Sequence, residues 1–277
     1  TCGLPYDMIM GDMPVQHPTS QAMAEAMKPL KAKGHYTLRE QIAAISKVPL
    51  AFEPGERWLY GFASELTAGL LEVLCGKPAE LVIKEMLFEP LGMDSSANFL
   101  MDDFAQRLVK NYYIRDGKKL GDQDALFVLP PEREAIFTGS LGSVSGFSRV
   151  ITNGRDYTKL MQMLANGGVY NGERIMGRKT IDLMRTNTLT ETMIREDFSN
   201  SYLAGYGYGY GVRTLMDKAA GNHNGSLGAF GWTGGSGTWA EADPSEGVSI
   251  VYMHNLQPNL EEYHHLRMRA AAYGFLD

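Results

Sequence analysis

The sequence predicts an α/β fold of the mixed α+β kind: an antiparallel sheet flanked by helices, with a helical lobe. Three observations carry that expectation. Apolar residues recur at helical spacing in the first third of the chain, whereas the last third switches to short alternating runs between turn residues and ends in one more helical stretch. Helices, then strands, then a closing helix is the order of an α+β arrangement. The 277 residues are 44% hydrophobic and 21% charged, ordinary globular usage. Neither an internal repeat nor a low-complexity linker divides them, so a single domain over 1–277 is expected.

The first helix signal is Thr37-Leu38-Arg39-Glu40, a capping box in which the Thr and Glu side chains satisfy each other's backbone N–H. Leu38, Ile42 and Ile45 follow on one face until Pro49. Phe52-Glu53-Pro54-Gly55 is a turn leading through Trp58 and Tyr60 to a second helix, whose apolar stripe is expected to be Leu66, Leu70, Val73 and Leu74. Gly76 and Pro78 close it, and a third apolar segment runs from Leu81 to Phe88. Residues 94–135 read as loops with short strands. From Asp156 the pattern turns helical, with Tyr157, Leu160, Met161 and Leu164 before Asn166-Gly167-Gly168, and a short helix is expected over Arg178 to Arg185.

Tyr206, Tyr208, Tyr210 and Val212 alternate with glycines, which predicts one strand through 206–212. Gly228 to Trp232, Gly237 to Ala242 and Val248 to His254 follow as strands of an antiparallel meander, with Asp243 to Gly247 as the last turn. Asn259, with Glu262 three residues on, is expected to cap a final helix that packs on the sheet through Tyr263, Leu266, Ala270 and Tyr273.

Composition narrows the function. With 26 Lys plus Arg against 32 Asp plus Glu the net charge is −6, and no basic run offers a nucleic-acid face. No stretch approaches the ~20 apolar residues of a membrane span, and the first residues lack a signal-peptide pattern. The compartment stays open: periplasmic or secreted if a signal lay upstream, otherwise cytoplasmic. Cys2 and Cys75 form neither a disulfide framework nor a metal motif, and no cofactor motif is present. His264-His265 fit solvated surface histidines better than a metal site.

Two segments carry chemistry: Glu53 to Tyr60 with the helix after it, and Phe230-Gly231-Trp232-Thr233-Gly234-Gly235-Ser236-Gly237-Thr238. Together they resemble the serine β-lactamase and penicillin-binding-protein superfamily, closest to its class C-like branch of esterases, transesterases and D-amino-acid peptidases. Thr1-Cys2-Gly3-Leu4-Pro5 is similar to that family's His-Thr-Ser-Gly-Leu-Pro stretch, and Glu89-Pro90-Leu91-Gly92-Met93 to its Pro-Leu-Gly-Met landmark. Gly139 to Ser145, followed by Asp156-Tyr157 and Asn166-Gly167-Gly168, is similar to its glycine-rich loop and following helix.

The resemblance implies an acyl-enzyme mechanism on a small ester or amide. Tyr60 matches the tyrosine of the family's Tyr-x-Asn, a proton carrier between nucleophile and leaving group. Taken alone, Tyr60 also fits a core aromatic before a helix. Phe62 stands where the family has the asparagine that binds a β-lactam side-chain amide, and Trp232-Thr233-Gly234 stands where it has Lys-Thr-Gly. Losing that cation removes one partner for a substrate carboxylate, which turns the expectation from β-lactams toward esters. Gly235 falls at the family's strand-edge oxyanion donor, although a glycine-rich strand edge and turn explains it without a substrate. Glu65 falls where relatives carry aspartate.

The family's nucleophile is a Ser-x-x-Lys turn, and no Ser or Thr in this sequence has lysine three positions on. The resemblance places that motif upstream of residue 1. It implies an N-terminally incomplete chain whose serine and lysine come from a companion fragment, and which is unstable or paired when isolated. A truncated homologue that only binds ligand, or an active β-lactamase or D,D-peptidase, are the alternatives.

Overall fold

The structure, a computed structural model, describes residues 1–7, 18–33, 36–98, 102–119, 121–128 and 150–276. They fall into two compact units. The first draws on the described parts of Thr1–Phe88, Ser96–Arg107 and Glu132–Ile151, the second on those of Glu89–Ser95, Leu108–Pro131 and Thr152–Asp277.

The first unit is helical: α1 (Pro18–Lys33), α2 (Leu38–Ile45), α3 (Ala63–Cys75), α4 (Ala79–Ile83) running into one π turn (Lys84–Phe88), and the single turn α5 (Asp102–Ala105). The capping box forms as expected, with Thr37 Oγ1 accepting from Glu40 N at 3.2 Å and Glu40 Oε2 accepting from Thr37 N at 2.8 Å. Met23 and Met27, one turn apart on α1, join Leu4, Tyr36, Ile45 and Phe62 in the core.

The expected stripe of α3 is on the wrong face. Leu66, Leu70, Val73 and Leu74 are 40%, 57%, 69% and 74% exposed, while Glu65, Ala68, Gly69 and Glu72 are buried. The small residues decide this. A Cβ on Gly69 would lie 1.9 Å from Ile42 Cδ1, so α2 approaches over the Ala68-Gly69 face. Glu72 tolerates burial because it accepts from Arg39 Nε at 3.2 Å and Ala79 N at 3.3 Å.

The second unit is built on a sheet. β1 (Tyr112–Ile114) and β2 (Leu126–Val128) pair antiparallel. Then come α6 (Gly154–Ala165), capped by Asn153 Oδ1 accepting from Asp156 N at 2.9 Å, the hairpin β3 (Val169–Tyr170) and β4 (Glu173–Arg174), and the helices α7 (Arg178–Met184) and α8 (Glu191–Glu196). Five strands follow as an antiparallel meander: β5 (Tyr206–Tyr208), β6 (Arg213–Leu215), β7 (Phe230–Thr233), β8 (Trp239–Asp243) and β9 (Val248–Tyr252). β10 (Leu256–Gln257) lies parallel to β1, and α9 (Glu261–Tyr273) closes the chain. The last three meander strands match the sequence expectation to within two residues. The single strand expected over 206–212 is instead a hairpin: Gly209 N donates to Val212 O at 2.8 Å, and Gly211, at φ +79°, turns the chain into β6.

α9 packs on the sheet through Tyr273 as expected but otherwise departs from its expected face. Its start is Leu260 at φ +49° with no side-chain cap; Asn259 Oδ1 only reaches Glu261 N at 3.4 Å. Tyr263 is 55% exposed, and the buried residues are His265, Arg269 and Tyr273. They lie against the alternate residues Trp239, Glu241 and Asp243 of β8. The Trp239 and His265 rings stack with centroids 5.6 Å apart, Arg269 Nε is 3.6 Å from Glu241 Oε2, and Tyr273 O–H donates to Asp243 Oδ2 at 3.0 Å.

Asp243 ties this ladder to two loops. Its carboxylate accepts from Ser226 N at 2.8 Å, Ser245 N at 3.0 Å and Glu246 N at 3.3 Å. Burial works to raise its pKa, but these bonds and Tyr273 outweigh it, and the group sits below its ordinary value. Asp243→Asn replaces one acceptor oxygen by a donor amide facing donors. It is expected to destabilise the fold by about 2–3 kcal/mol, read as a lower urea midpoint at unchanged m-value.

Candidate active site

Tyr60 belongs to the first unit. It precedes Gly61, which forms an antiparallel bridge with Pro5; a Cβ on Gly61 would sit 1.8 Å from Leu4 O. Phe62 N donates to Leu4 O at 3.0 Å. This backbone docking leaves the Tyr60 ring 40% exposed, edge-on to Tyr6 at 5.6 Å and tilted against Trp58 at 6.2 Å. Tyr60 is thus held by aromatic neighbours while its rim stays accessible.

Phe62, two residues on, has the opposite fate. It is 5% exposed, meets Tyr6 edge-on at 5.0 Å and belongs to the core with Leu4, Met23, Met27, Tyr36 and Ile45. Phe62, expected from the resemblance as a substrate contact, is a core residue here, where an apolar ring gains by leaving water. Glu65, in the first turn of α3, is buried as well.

Trp232, Thr233, Gly234 and Gly235 are brought together at the end of β7, in the second unit. The Trp232 ring is edge-on to Tyr208 at 5.2 Å. Thr233 pairs with Trp239 in the sheet, and nearby Glu261 has its carboxyl pushed up in pKa by burial, with Arg213 and Thr233 opposing. The chain then reverses tightly. Gly234 N donates to Thr238 O at 2.8 Å, and Gly237 N donates to Gly234 O at 2.9 Å, leaving Gly235 and Ser236 at the tip. Gly235 is exposed, with no atom within 4 Å of where a Cβ would stand. Among the described residues its N–H has no acceptor.

Around this turn lies a buried polar cluster that sequence reasoning missed. His265, expected at the surface, is fully buried. Its Nε2 is 2.8 Å from Gly237 O and its Nδ1 2.6 Å from Tyr202 Oη, which accepts from Arg213 Nη2 at 2.7 Å. Arg213 stands opposite Gly231, and Gly231 opposite Glu241, so Arg213 and Glu241 share one row across three strands. Glu241 accepts from buried His223 Nε2 at 3.1 Å. The signal available in the sequence was the spacing His265, Arg269, Tyr273 set against Glu241, Asp243: one polar helix face facing one polar strand face.

The Gly139 to Ser145 segment lies outside the described residues. Among the described residues no group of three or more His, Cys, Asp or Glu is placed to hold a metal ion, and no helix is long and apolar enough to cross a membrane.

Comparison with known proteins agrees with this architecture. The Beta-lactamase family matches residues 6–275. Protein Rv1367c of Mycobacterium tuberculosis is 28% identical over 231 residues, 79% of this chain and 54% of its own length. A putative D-alanyl-D-alanine carboxypeptidase of Escherichia coli strain K12 is 24% identical over 78% of this chain and 49% of its own. The chain thus spans about half the length of these curated relatives. Two solved structures share the fold. EstCE1, described as a hydrolase with promiscuous acyltransferase activity, superposes with a TM-score of 0.73 at 22% identity, covering 98% of this chain and 69% of that one. The simvastatin synthase LovD from Aspergillus terreus gives 0.73 at 18%, covering 100% and 67%.

Burial pushes the His265 imidazole down to about 4, with Arg213, Arg269 and His254 adding to it and the Gly237 carbonyl opposing. A base depressed from 6.5 in the fold contributes stability that is full above pH 6.5 and lost as the pH falls toward 4. The melting temperature is therefore expected to drop across that interval, with a shallower drop in His265→Gln, measured by scanning calorimetry at stepped pH.

Proposed function

Because the chain belongs to the Beta-lactamase family, which matches it over residues 6–275, we propose that it serves a serine hydrolase or acyltransferase of the esterase-like kind. The observation that carries this reading is Gly235: an exposed, side-chain-free N–H at the tip of a turn anchored on both sides, directly after Trp232-Thr233-Gly234. An acyl-transfer centre needs such a fixed dipole where the carbonyl oxygen becomes an oxyanion.

In this reading the Ser-Lys pair is supplied outside these residues, on a companion segment. The serine oxygen attacks the ester carbonyl, and the oxyanion accepts a hydrogen bond from Gly235 N–H. Collapse breaks the ester C–O bond. Tyr60, acting as its phenolate, takes the serine proton and as the phenol returns it to the departing alkoxide. Water or an alcohol then attacks the acyl-enzyme, giving hydrolysis or acyl transfer. Trp232 and Thr233 line the strand edge along which the acyl group lies. With tryptophan in place of a cation, a neutral ester loses nothing that a substrate carboxylate would need. EstCE1, described as a hydrolase with promiscuous acyltransferase activity, shares the fold, which supports a hydrolase or acyltransferase without specifying the acyl group.

A homologue that binds ligand without chemistry is the second reading, favoured by the absence of any Ser or Thr three residues before a lysine. Turnover of p-nitrophenyl butyrate and of a chromogenic cephalosporin separates the two, measured on the protein carrying a Ser-x-x-Lys segment and on these 277 residues alone. The ester is expected to be turned over faster than the cephalosporin, and only when the segment is present. Tyr60→Phe is expected to lower kcat by about 10²-fold to 10³-fold. Trp232→Lys is expected to raise relative cephalosporin turnover about tenfold. A cephalosporin preference in the unmutated protein contradicts the esterase reading, and no turnover of either substrate with the Ser-x-x-Lys segment present contradicts the hydrolase reading.

A further inference from the structure

We propose that His265, locked in one tautomer by Tyr202 and Arg213, is a positioning residue that holds the turn carrying Gly235. The inference deepens the acyl-transfer reading of that turn and rests on it.

Three hydrogen bonds form a chain with a single possible direction. The Arg213 guanidinium has donors and no acceptor, so Tyr202 Oη accepts from Nη2 at 2.7 Å. The Tyr202 hydroxyl proton then goes to His265 Nδ1 at 2.6 Å. With Nδ1 accepting, the ring proton is on Nε2, and it is donated to Gly237 O at 2.8 Å. Both ends fix the sense: a permanent cation cannot accept and a backbone carbonyl cannot donate. The residues are 1%, 9% and 0% exposed, so water does not compete for these bonds. The rings are also clamped. The Arg213 guanidinium lies 4.2 Å over the Tyr202 ring and 4.7 Å over Tyr206, and Trp239 stacks on His265 at 22°.

What the chain holds is the far side of the turn. Gly237 adopts φ +94°, and a Cβ there would fall 2.2 Å from His254 Nδ1, so the residue is boxed between two histidines. Its N–H closes on Gly234 O and its carbonyl is fixed by His265. Ser236 is pinned separately, its carbonyl by Leu256 N at 2.9 Å and its Oγ by Gln257 Nε2 at 3.2 Å. The relay starts on β6 opposite Gly231, in the strand that delivers Trp232 to Gly235. Both arms of the turn therefore lead back to Arg213, one through the sheet and one through His265. A donor aimed at a developing oxyanion works only if it does not reorganise during the reaction, and a buried relay of this kind supplies that rigidity.

The test uses Tyr202→Phe, which keeps the ring and removes the hydroxyl, His265→Leu, and His265→Gln, whose amide can replace Nε2. Nitrogen-15 histidine NMR is expected to show the Nε2–H tautomer at His265. Hydrogen exchange at Gly237 N–H is expected to accelerate in Tyr202→Phe and His265→Leu and to recover in His265→Gln. On the protein carrying the Ser-x-x-Lys segment, ester kcat is expected to fall about 10-fold to 100-fold in the first two, with KM changed less than about twofold, and to be largely restored in His265→Gln. An Nδ1–H tautomer, or unchanged exchange in Tyr202→Phe, overturns the relay whatever the kinetics. Faster exchange with unchanged kcat overturns the positioning role. Absence of ester turnover in the unmutated protein removes the acyl-transfer reading, and the tautomer and exchange still decide the relay. If His265→Leu fails to fold, Tyr202→Phe alone decides.

Discussion

The second unit depends on a match of periods between α9 and β8. Four helix residues advance about 6 Å, and two strand residues about 6.8 Å, so His265, Arg269 and Tyr273 fall in step with Trp239, Glu241 and Asp243. Each rung is a specific contact: a stacked ring pair, an ion pair and a tyrosine-to-carboxylate hydrogen bond. An apolar helix could slide along an apolar sheet with little loss. A polar ladder cannot, because slipping by one rung leaves buried charges without partners, at a cost of several kcal/mol each. The ladder therefore sets the height of α9 along the sheet, and with it the placement of His265 against Gly237.

This ladder is also what the sequence concealed. Periodicity reading assigns the inward face of a helix to its apolar residues, and on α9 that rule selected Tyr263, Leu266, Ala270 and Tyr273, of which only Tyr273 is among the buried residues. The true inward face is polar, because the strand opposite carries Glu241 and Asp243. The same rule failed on α3, where Ala68 and Gly69 admit α2 and turn the leucines outward. In both helices a close fit with a neighbouring element outweighed hydrophobicity, and one element's sequence holds no record of its neighbour. Features whose causes are local were legible. The Thr37 to Glu40 capping box, the Asp243 to Gly247 turn and the last three meander strands are set by residues within a few positions of one another.

The candidate site divides in the same way. Trp232 to Gly235 could be picked out from sequence because the segment resembles a strand-edge motif, and the structure places it at a strand end running into a tight turn. Tyr60 could be picked out too, and it is 40% exposed beside Tyr6 and Trp58. Phe62 was assigned to substrate only because it occupies the third position of a motif. In the structure its apolar ring lies in the core with Leu4, Met23 and Met27. In the proposed reading, Trp232 in place of a cation and Phe62 in place of an amide would each remove a polar contact, which is why that reading takes a neutral ester.

In the proposed mechanism the Gly235 N–H receives the oxyanion of an acyl-transfer reaction. The direct measurement is a crystal structure of the protein, with its Ser-x-x-Lys segment present, after reaction with an alkyl p-nitrophenyl phosphonate. The phosphonate oxygen copies the charge and geometry of the tetrahedral intermediate. The account predicts that oxygen at about 2.7–3.1 Å from Gly235 N, with the 234–237 turn unchanged. A phosphonate oxygen held by other donors, with Gly235 N–H facing water, would contradict it.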